Sequence, residues 1–271
     1  MPFHYFTKSL KELDAKGLVQ FCQETGLEGF DLAVRPGYLV DPQNALVELP
    51  KLSSQLKSEN LAIGLVTAPT SLTSASTLES KGMFEACSKA GVGRIKIGYF
   101  PYQGNFREQL TQARKSMEGF AQLAKSTGVK ACYHTHSGSN IGNNAASLLM
   151  LLQDFDPHHV GAFADTGHLA LNGGPIRMEL ELIKPWLSLL AIKDISWAPG
   201  KTGWENKVVP AGKGVVRWKD VGQGLEDCQF RGTIVLHGEY GAKDLSDRKA
   251  LAREELKFLK GVFPKSLEKP K

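Results

Sequence analysis

The chain has 271 residues, of which 42% are hydrophobic and 23% charged, and a formal net charge of +5. That composition is ordinary for a globular α/β domain of roughly 250 residues. It excludes a low-complexity chain, and no apolar run reaches the ~18 residues that would span a bilayer. Cys22, Cys87, Cys132 and Cys228 include no Cys-x-x-Cys pair, so they read as free thiols of a reducing compartment, not a disulfide set or zinc site. The first residues, Met1-Pro2-Phe3-His4-Tyr5, lack the basic start and apolar stretch of a secretory leader. The basic run at 265–271 reads as a flexible, solvated end.

Short apolar runs alternate with longer amphipathic stretches. In chain order, strands are expected at 3–6, 29–34, 61–66, 94–98, 130–134, 159–165, 187–194 and 233–239. Their spacing is that of a strand plus a crossover helix. Between the first two, 10–24 places Leu10, Leu13, Leu18, Phe21 and Cys22 at helical spacing, and Gly26 follows as a helix stop. The stretch 106–126 carries Leu110, Ala113, Met117, Phe120, Ala121 and Ala124 on one stripe, closed by Gly128. A last helix, 251–263, buries Ala252, Leu256, Leu259 and Phe263. Eight βα units imply an α/β fold closed into a (β/α)₈ TIM barrel. No Gly-x-Gly-x-x-Gly loop supports a dinucleotide-binding sheet instead. No linker divides the chain, so residues 1–271 read as one domain. The long connections at 195–216 and 99–102 read as lids over the barrel mouth.

In such a barrel, chemistry sits where strands end, on the inward face, and residues two apart share that face. Strand five ends in His134 and His136, a pair suited to a divalent metal or to a general base with a partner. Strand six ends in Asp165, with His168 one turn on; Asp165 would equally serve as a helix N-cap. Strand seven ends in Lys193, which needs a carboxylate or an anionic ligand to sit inside a barrel. Strand eight ends in His237 and Glu239, the latter a candidate metal ligand or proton carrier, or a structural partner of Lys193. On strand two, Arg35 either clamps a substrate oxygen or pairs with Asp31.

These residues, in this order, resemble the xylose-isomerase-like TIM-barrel family, which includes sugar isomerases, epimerases, inosose dehydratases and an apurinic-endonuclease branch. The motifs are Gly29-Phe30-Asp31 through Val34-Arg35-Pro36-Gly37, Asp165-Thr166-Gly167-His168, Ile192-Lys193-Asp194, Val209-Pro210-Ala211-Gly212-Lys213-Gly214 and His237-Gly238-Glu239-Tyr240. As a set they look like the bacterial branch of sugar phosphate isomerase/epimerase type. The resemblance implies one divalent ion (Mn, Mg, Co or Zn), held in the family by Glu, Asp, His and Glu at the ends of strands five to eight. By position these fall near His134 and on Asp165, Ala191 and Glu239, so two of the four depart from the pattern; His136 and His168 are the candidates to substitute.

The implied chemistry is isomerisation or epimerisation of a sugar or sugar-like polyol by proton abstraction next to a carbonyl. Glu239 and His134 would flank the carbon, and Lys193 would meet the developing oxyanion. Arg35, His136, His168 and His237 would bind substrate, with Trp197, Trp204, Tyr99 and Tyr102 stacking on the sugar. A lyase or dehydratase shares the first step. A metal-free or non-catalytic carbohydrate-binding barrel is the alternative that Ala191 motivates, and a nuclease would need a richer metal cluster. The expected partner is a small carbohydrate, with no nucleic acid and no membrane, in the cytoplasm, and a homodimer is left open.

Overall fold

The computed structural model describes residues 1–267. Eight parallel strands close into a barrel: β1 (Phe3–Phe6), β2 (Gly29–Ala33), β3 (Ala62–Thr67), β4 (Arg94–Lys96), β5 (Lys130–His134), β6 (Val160–Asp165), β7 (Leu187–Ile192) and, after a hairpin described below, β10 (Thr233–Leu236). Neighbours in sequence are neighbours in the barrel, and β1 pairs with β10 to close it. The helices between them are α1 (Ala15–Thr25), α2 (Ala45–Ser58), α3 (Leu78–Ala90), α4 (Phe106–Thr127), α5 (Ala145–Leu152), α6 (Thr166–Asn172), α7 (Ile176–Leu182), α8 (Trp218–Asp227) and α9 (Leu245–Val262).

The eight expected strands are present, with ends that shift by up to three residues. The helices begin where caps dictate. Asp14 accepts the N–H of Gly17, so α1 starts at Ala15 and not at residue 10; residues Thr7–Ser9 form a 3-10 turn instead. Asp244 accepts the N–H of Asp247 and starts α9 six residues before the expected 251. At the other end of the chain, Lys265–Leu267 form a 3-10 turn with Leu267 buried, and the amino terminus donates to the Leu267 carbonyl. The rest of the expected tail, 268–271, lies outside the described residues.

Two cores result from the alternation of side chains along each strand. One lies between barrel and helices and holds most of the buried apolar residues. The other fills the barrel interior with Phe6, Ala33, Leu65, Cys132, Phe163, Leu189, Ala191 and Val235. Stepping two residues from these toward the C-terminal end leads from Phe6 to Lys8, from Ala33 to Arg35, from Leu65 to Thr67 and from Cys132 to His134. The same step leads from Phe163 to Asp165, Ala191 to Lys193 and Val235 to His237. The apolar plug is therefore the floor of a polar mouth.

One connection differs from its expected form. The stretch after β7 is no plain loop: β8 (Asp194–Pro199) and β9 (Trp204–Val209) form an antiparallel hairpin. Its base is organised by Asp194. That buried carboxylate accepts backbone N–H groups of Ile195, Gly212, Gly214 and Val216 and the indole N–H of Trp218.

Candidate active site

Four strand ends and the first turn of α6 bring their side chains to one point. Asp165, at the end of β6, is wholly buried. Its Oδ1 accepts the His168 N–H at 3.0 Å and caps α6, so the capping role foreseen for it is real. Its Oδ2 makes no hydrogen bond and turns to the barrel axis. Around Oδ2 lie His134 Nε2 at 3.3 Å, Lys193 Nζ at 3.4 Å, His237 Nδ1 at 3.6 Å and His168 Nε2 at 3.9 Å. Backbone is pinned here too: the Asp165 N–H donates to the Thr135 hydroxyl, and Thr166 bonds both ways with the Lys193 backbone. Gly167 leaves room for Lys193, since a Cβ there would sit 3.0 Å from the lysine Cγ.

His134 Nε2, Asp165 Oδ2 and His237 Nδ1 lie within 4.8 Å of one another, and none has a hydrogen-bond partner. Buried polar atoms left without partners are costly. Two imidazoles and a carboxylate are a donor set that suits a divalent transition metal. Burial holds the His134 imidazole well below its usual range, Asp165 only partly opposing it, so its lone pair is available. Its other nitrogen, Nδ1, lies 3.0 Å from the Tyr99 hydroxyl, a contact that fixes the ring. These residues fit the divalent ion that the resemblance implies.

Lys193 is the cation already there. It lies 2.7 Å from Glu239 Oε2 and donates to His168 Nε2 at 3.0 Å. Because Nε2 accepts, the His168 proton sits on Nδ1 and donates to Ser137. Burial pushes His168 down to about 4, consistent with a neutral ring. Burial alone would favour neutral Lys193, but Asp165 and Glu239 outweigh it and hold the ammonium charged. Burial would likewise raise Glu239; His237 and Lys193 beside it keep its carboxyl well below the usual range. Glu239 Oε1 also meets Lys8 at 2.5 Å.

The mouth above encloses a cavity of about 150 Å³ lined by Lys8, Asp31, Arg35, Thr67, Lys96, Tyr99, His134, His136, Lys193, His237 and Glu239, among others. Of the residues expected to act, His134, Lys193, Glu239, Arg35, His136 and His237 line it. Asp165 and His168 lie against its floor. Tyr102, Trp197 and Trp204 are not brought in: they are 46%, 45% and 70% exposed, and Trp197 and Trp204 lie on the hairpin. Glu239 stands beside the three-ligand group without joining it; His237 does. Arg35 and Asp31 form no ion pair: Asp31 Oδ1 accepts the Thr67 hydroxyl at 2.7 Å instead. Sequence reasoning passed over Lys96, Thr67 and Lys8. The inward step of two along the strand, from Leu65 to Thr67 and from Phe6 to Lys8, is the signal that points to the last two.

A closed barrel with a polar C-terminal mouth defines the class as (β/α)₈ proteins, a fold whose active sites lie at that end. The family model "Xylose isomerase-like TIM barrel" matches residues 3–262, and the chain belongs to that family. Solved structures of the same fold include D-psicose 3-epimerase from Clostridium cellulolyticum H10 (TM-score 0.74, 14% identity, 97% of this chain and 99% of that one). A 3-keto-D-glucoside 4-epimerase from E. coli is similar (TM-score 0.75, 13% identity, 96% and 99%). So is a probable 3-DHS dehydratase from Bacillus anthracis (TM-score 0.71, 19% identity, 96% and 99%). At such identities the likeness is one of fold. Comparison with curated protein sequences finds no match. Among the described residues, no helix is long and apolar enough to cross a membrane.

Proposed function

We propose that this protein is an isomerase or epimerase of a small sugar or sugar-like polyol, working by proton transfer at a carbon next to a carbonyl. The observation that carries this reading is the convergence of His134 Nε2, Asp165 Oδ2 and His237 Nδ1, three buried donor atoms without partners, beside Glu239 and Lys193. These three would hold one divalent cation, which when bound polarises the carbonyl and its neighbouring hydroxyl. The epimerases of like fold support the choice of chemistry.

In this reading Glu239 takes the proton from carbon. It is a weak base while Lys193 and Lys8 hold it. As negative charge develops on the substrate oxygen, Lys193 turns its hydrogen bond to that oxygen, and Oε2 of Glu239 is freed to accept the proton. Tyr99 keeps the His134 ring in place, and Ser137 and His168 keep Lys193 in place. A dehydratase would begin with the same proton removal, and the fold's likeness to a probable dehydratase keeps that outcome inside the proposal.

A second reading has one observation in its favour. The Lys193 ammonium lies 3.4 Å from Asp165 Oδ2, and Ala191 stands where the family's histidine would, so a fixed lysine could supply the positive charge without a metal. The test is solvent deuterium uptake at carbon from a panel of ketopentoses and ketohexoses, with EDTA or with added Mn²⁺. Exchange that needs Mn²⁺ and falls by about 10²–10⁴ in Glu239→Gln, with unchanged thermal unfolding, is the expected result. Exchange undiminished by EDTA favours the lysine alone. Wild-type turnover in Glu239→Gln would remove its assigned role.

A further inference from the structure

The mouth carries four cationic side chains, and only two are matched. Lys8 and Lys193 share Glu239. Arg35 and Lys96 form no ion pair among the described residues, although both line the cavity. Arg35 makes no side-chain hydrogen bond among those residues either, and its Nε is buried without a partner. Its guanidinium carbon lies 6.0 Å from the centre of the Phe6 ring. Lys96 is 3% exposed, and its ammonium stands 3.8 Å from the centre of the Tyr99 ring with no hydrogen bond.

The carboxylates of the mouth act on these charges only from a distance, and neither pairs with Arg35 or Lys96. Glu239 gives one oxygen to each lysine. Asp31 is tied through Oδ1 to Thr67, and burial pushes its carboxyl up to about 7. Burial, then the like charge of Arg35, brings Lys96 down to about 7. A half-buried guanidinium and a buried lysine that repel each other across one cavity are costly, and an arriving anion relieves both the lysine's desolvation and the repulsion.

We propose that the substrate is itself anionic, with a charged group that seats between Arg35 and Lys96. The shared chemistry is that of a carboxylate or a phosphate. The small cavity, well under the ~300 Å³ of ordinary ligand pockets, favours a short sugar acid, and the planar fork of Arg35 matches a carboxylate. Placing the reacting carbons over His134, Asp165 and His237 rests on the proton-transfer reading above; the anion seat does not.

Calorimetric titration with D-erythronate, erythritol and erythritol 4-phosphate tests it. All three have four carbons and no aldehyde or ketone, so turnover does not intrude, and EDTA in the buffer prevents binding of the hydroxy acid through a metal. Erythronate should bind wild-type protein about tenfold or more tighter than erythritol. Arg35→Gln and Lys96→Met should each remove most of that preference and leave erythritol unchanged. Arg35 is half-buried, so Arg35→Gln keeps the test decisive if Lys96→Met fails to fold. A preference for the phosphate with the same dependence on both residues supports the seat and assigns it to phosphate. Equal binding of erythronate and erythritol, or a preference that survives both substitutions, overturns it. If neither ketoses nor keto sugar acids exchange deuterium while the erythronate preference holds, the reaction is wrong and the seat stands. If neutral ketoses exchange and erythronate has no advantage, the seat is wrong and the reaction stands.

Discussion

Glu255 shows what burial does to a carboxyl with no cation beside it. Its Oε1 accepts the Ala211 N–H, and the Tyr240 hydroxyl donates to Oε2. Burial pushes it up to about 7 from its ordinary 4.5. The folded state therefore holds a proton that the unfolded chain gives up. Its contribution to stability is complete below about pH 4.5 and is lost as the pH rises through about 7. Urea unfolding at pH 5 and pH 8 should show Glu255→Gln losing less stability than wild type over that interval, by at most about 3 kcal/mol. Equal losses would refute the assignment. Asp165 is buried too and Glu239 largely so, yet Lys193 holds Asp165 ionised, and His237 with Lys193 holds Glu239 ionised. At this scale His134, Asp165, Lys193, His237 and Glu239 were legible because each ends an apolar strand on its inward side. Lys96 was not. In the run Arg94-Ile95-Lys96-Ile97 it reads as one solvated charge of two, and only the closed barrel reveals that it alone is buried.

The connection after β7 depends on one carboxylate. Asp194 gathers five N–H donors from the residues that root the β8–β9 hairpin and the start of α8. Asp194→Ala leaves those donors without an acceptor in a buried place. It should cost about 3–5 kcal/mol in chemical unfolding, the upper range for broken buried networks; a loss under ~1 kcal/mol would show that other groups hold the hairpin. The sequence announced the length of this connection but not its pairing. Its turn, Pro199-Gly200-Lys201-Thr202-Gly203, is a visible hairpin signal. The flanking strands carry no clean apolar alternation, because β9 is largely exposed. For the same reason Trp197 and Trp204, read as sugar-stacking residues, stand outside the cavity: a hairpin carries them away from it. The missed start of α9 is a simpler case, since Asp244 with Asp247 three residues on is a cap that sequence alone displays.

Across the whole molecule, alternation carried much of the fold into view. Eight apolar runs at βα spacing fixed the barrel, and on seven of the eight strands an inward row ran from apolar plug to polar mouth. What sequence could not supply was which ends meet. His237 and Glu239 share a face, and positional matching favoured Glu239 as the metal ligand. The structure ties Glu239 to two lysines and turns His237 to Asp165. The account depends on that grouping. Its most direct test is titration of EDTA-stripped protein with Mn²⁺ or Zn²⁺, read as bound ions per folded chain. One ion per chain is predicted, with affinity lowered more than about a hundredfold in His134→Ala and in His237→Ala, both still folded by circular dichroism. A stripped wild-type chain that takes up no divalent ion, or histidine variants that bind as tightly as wild type, would contradict it.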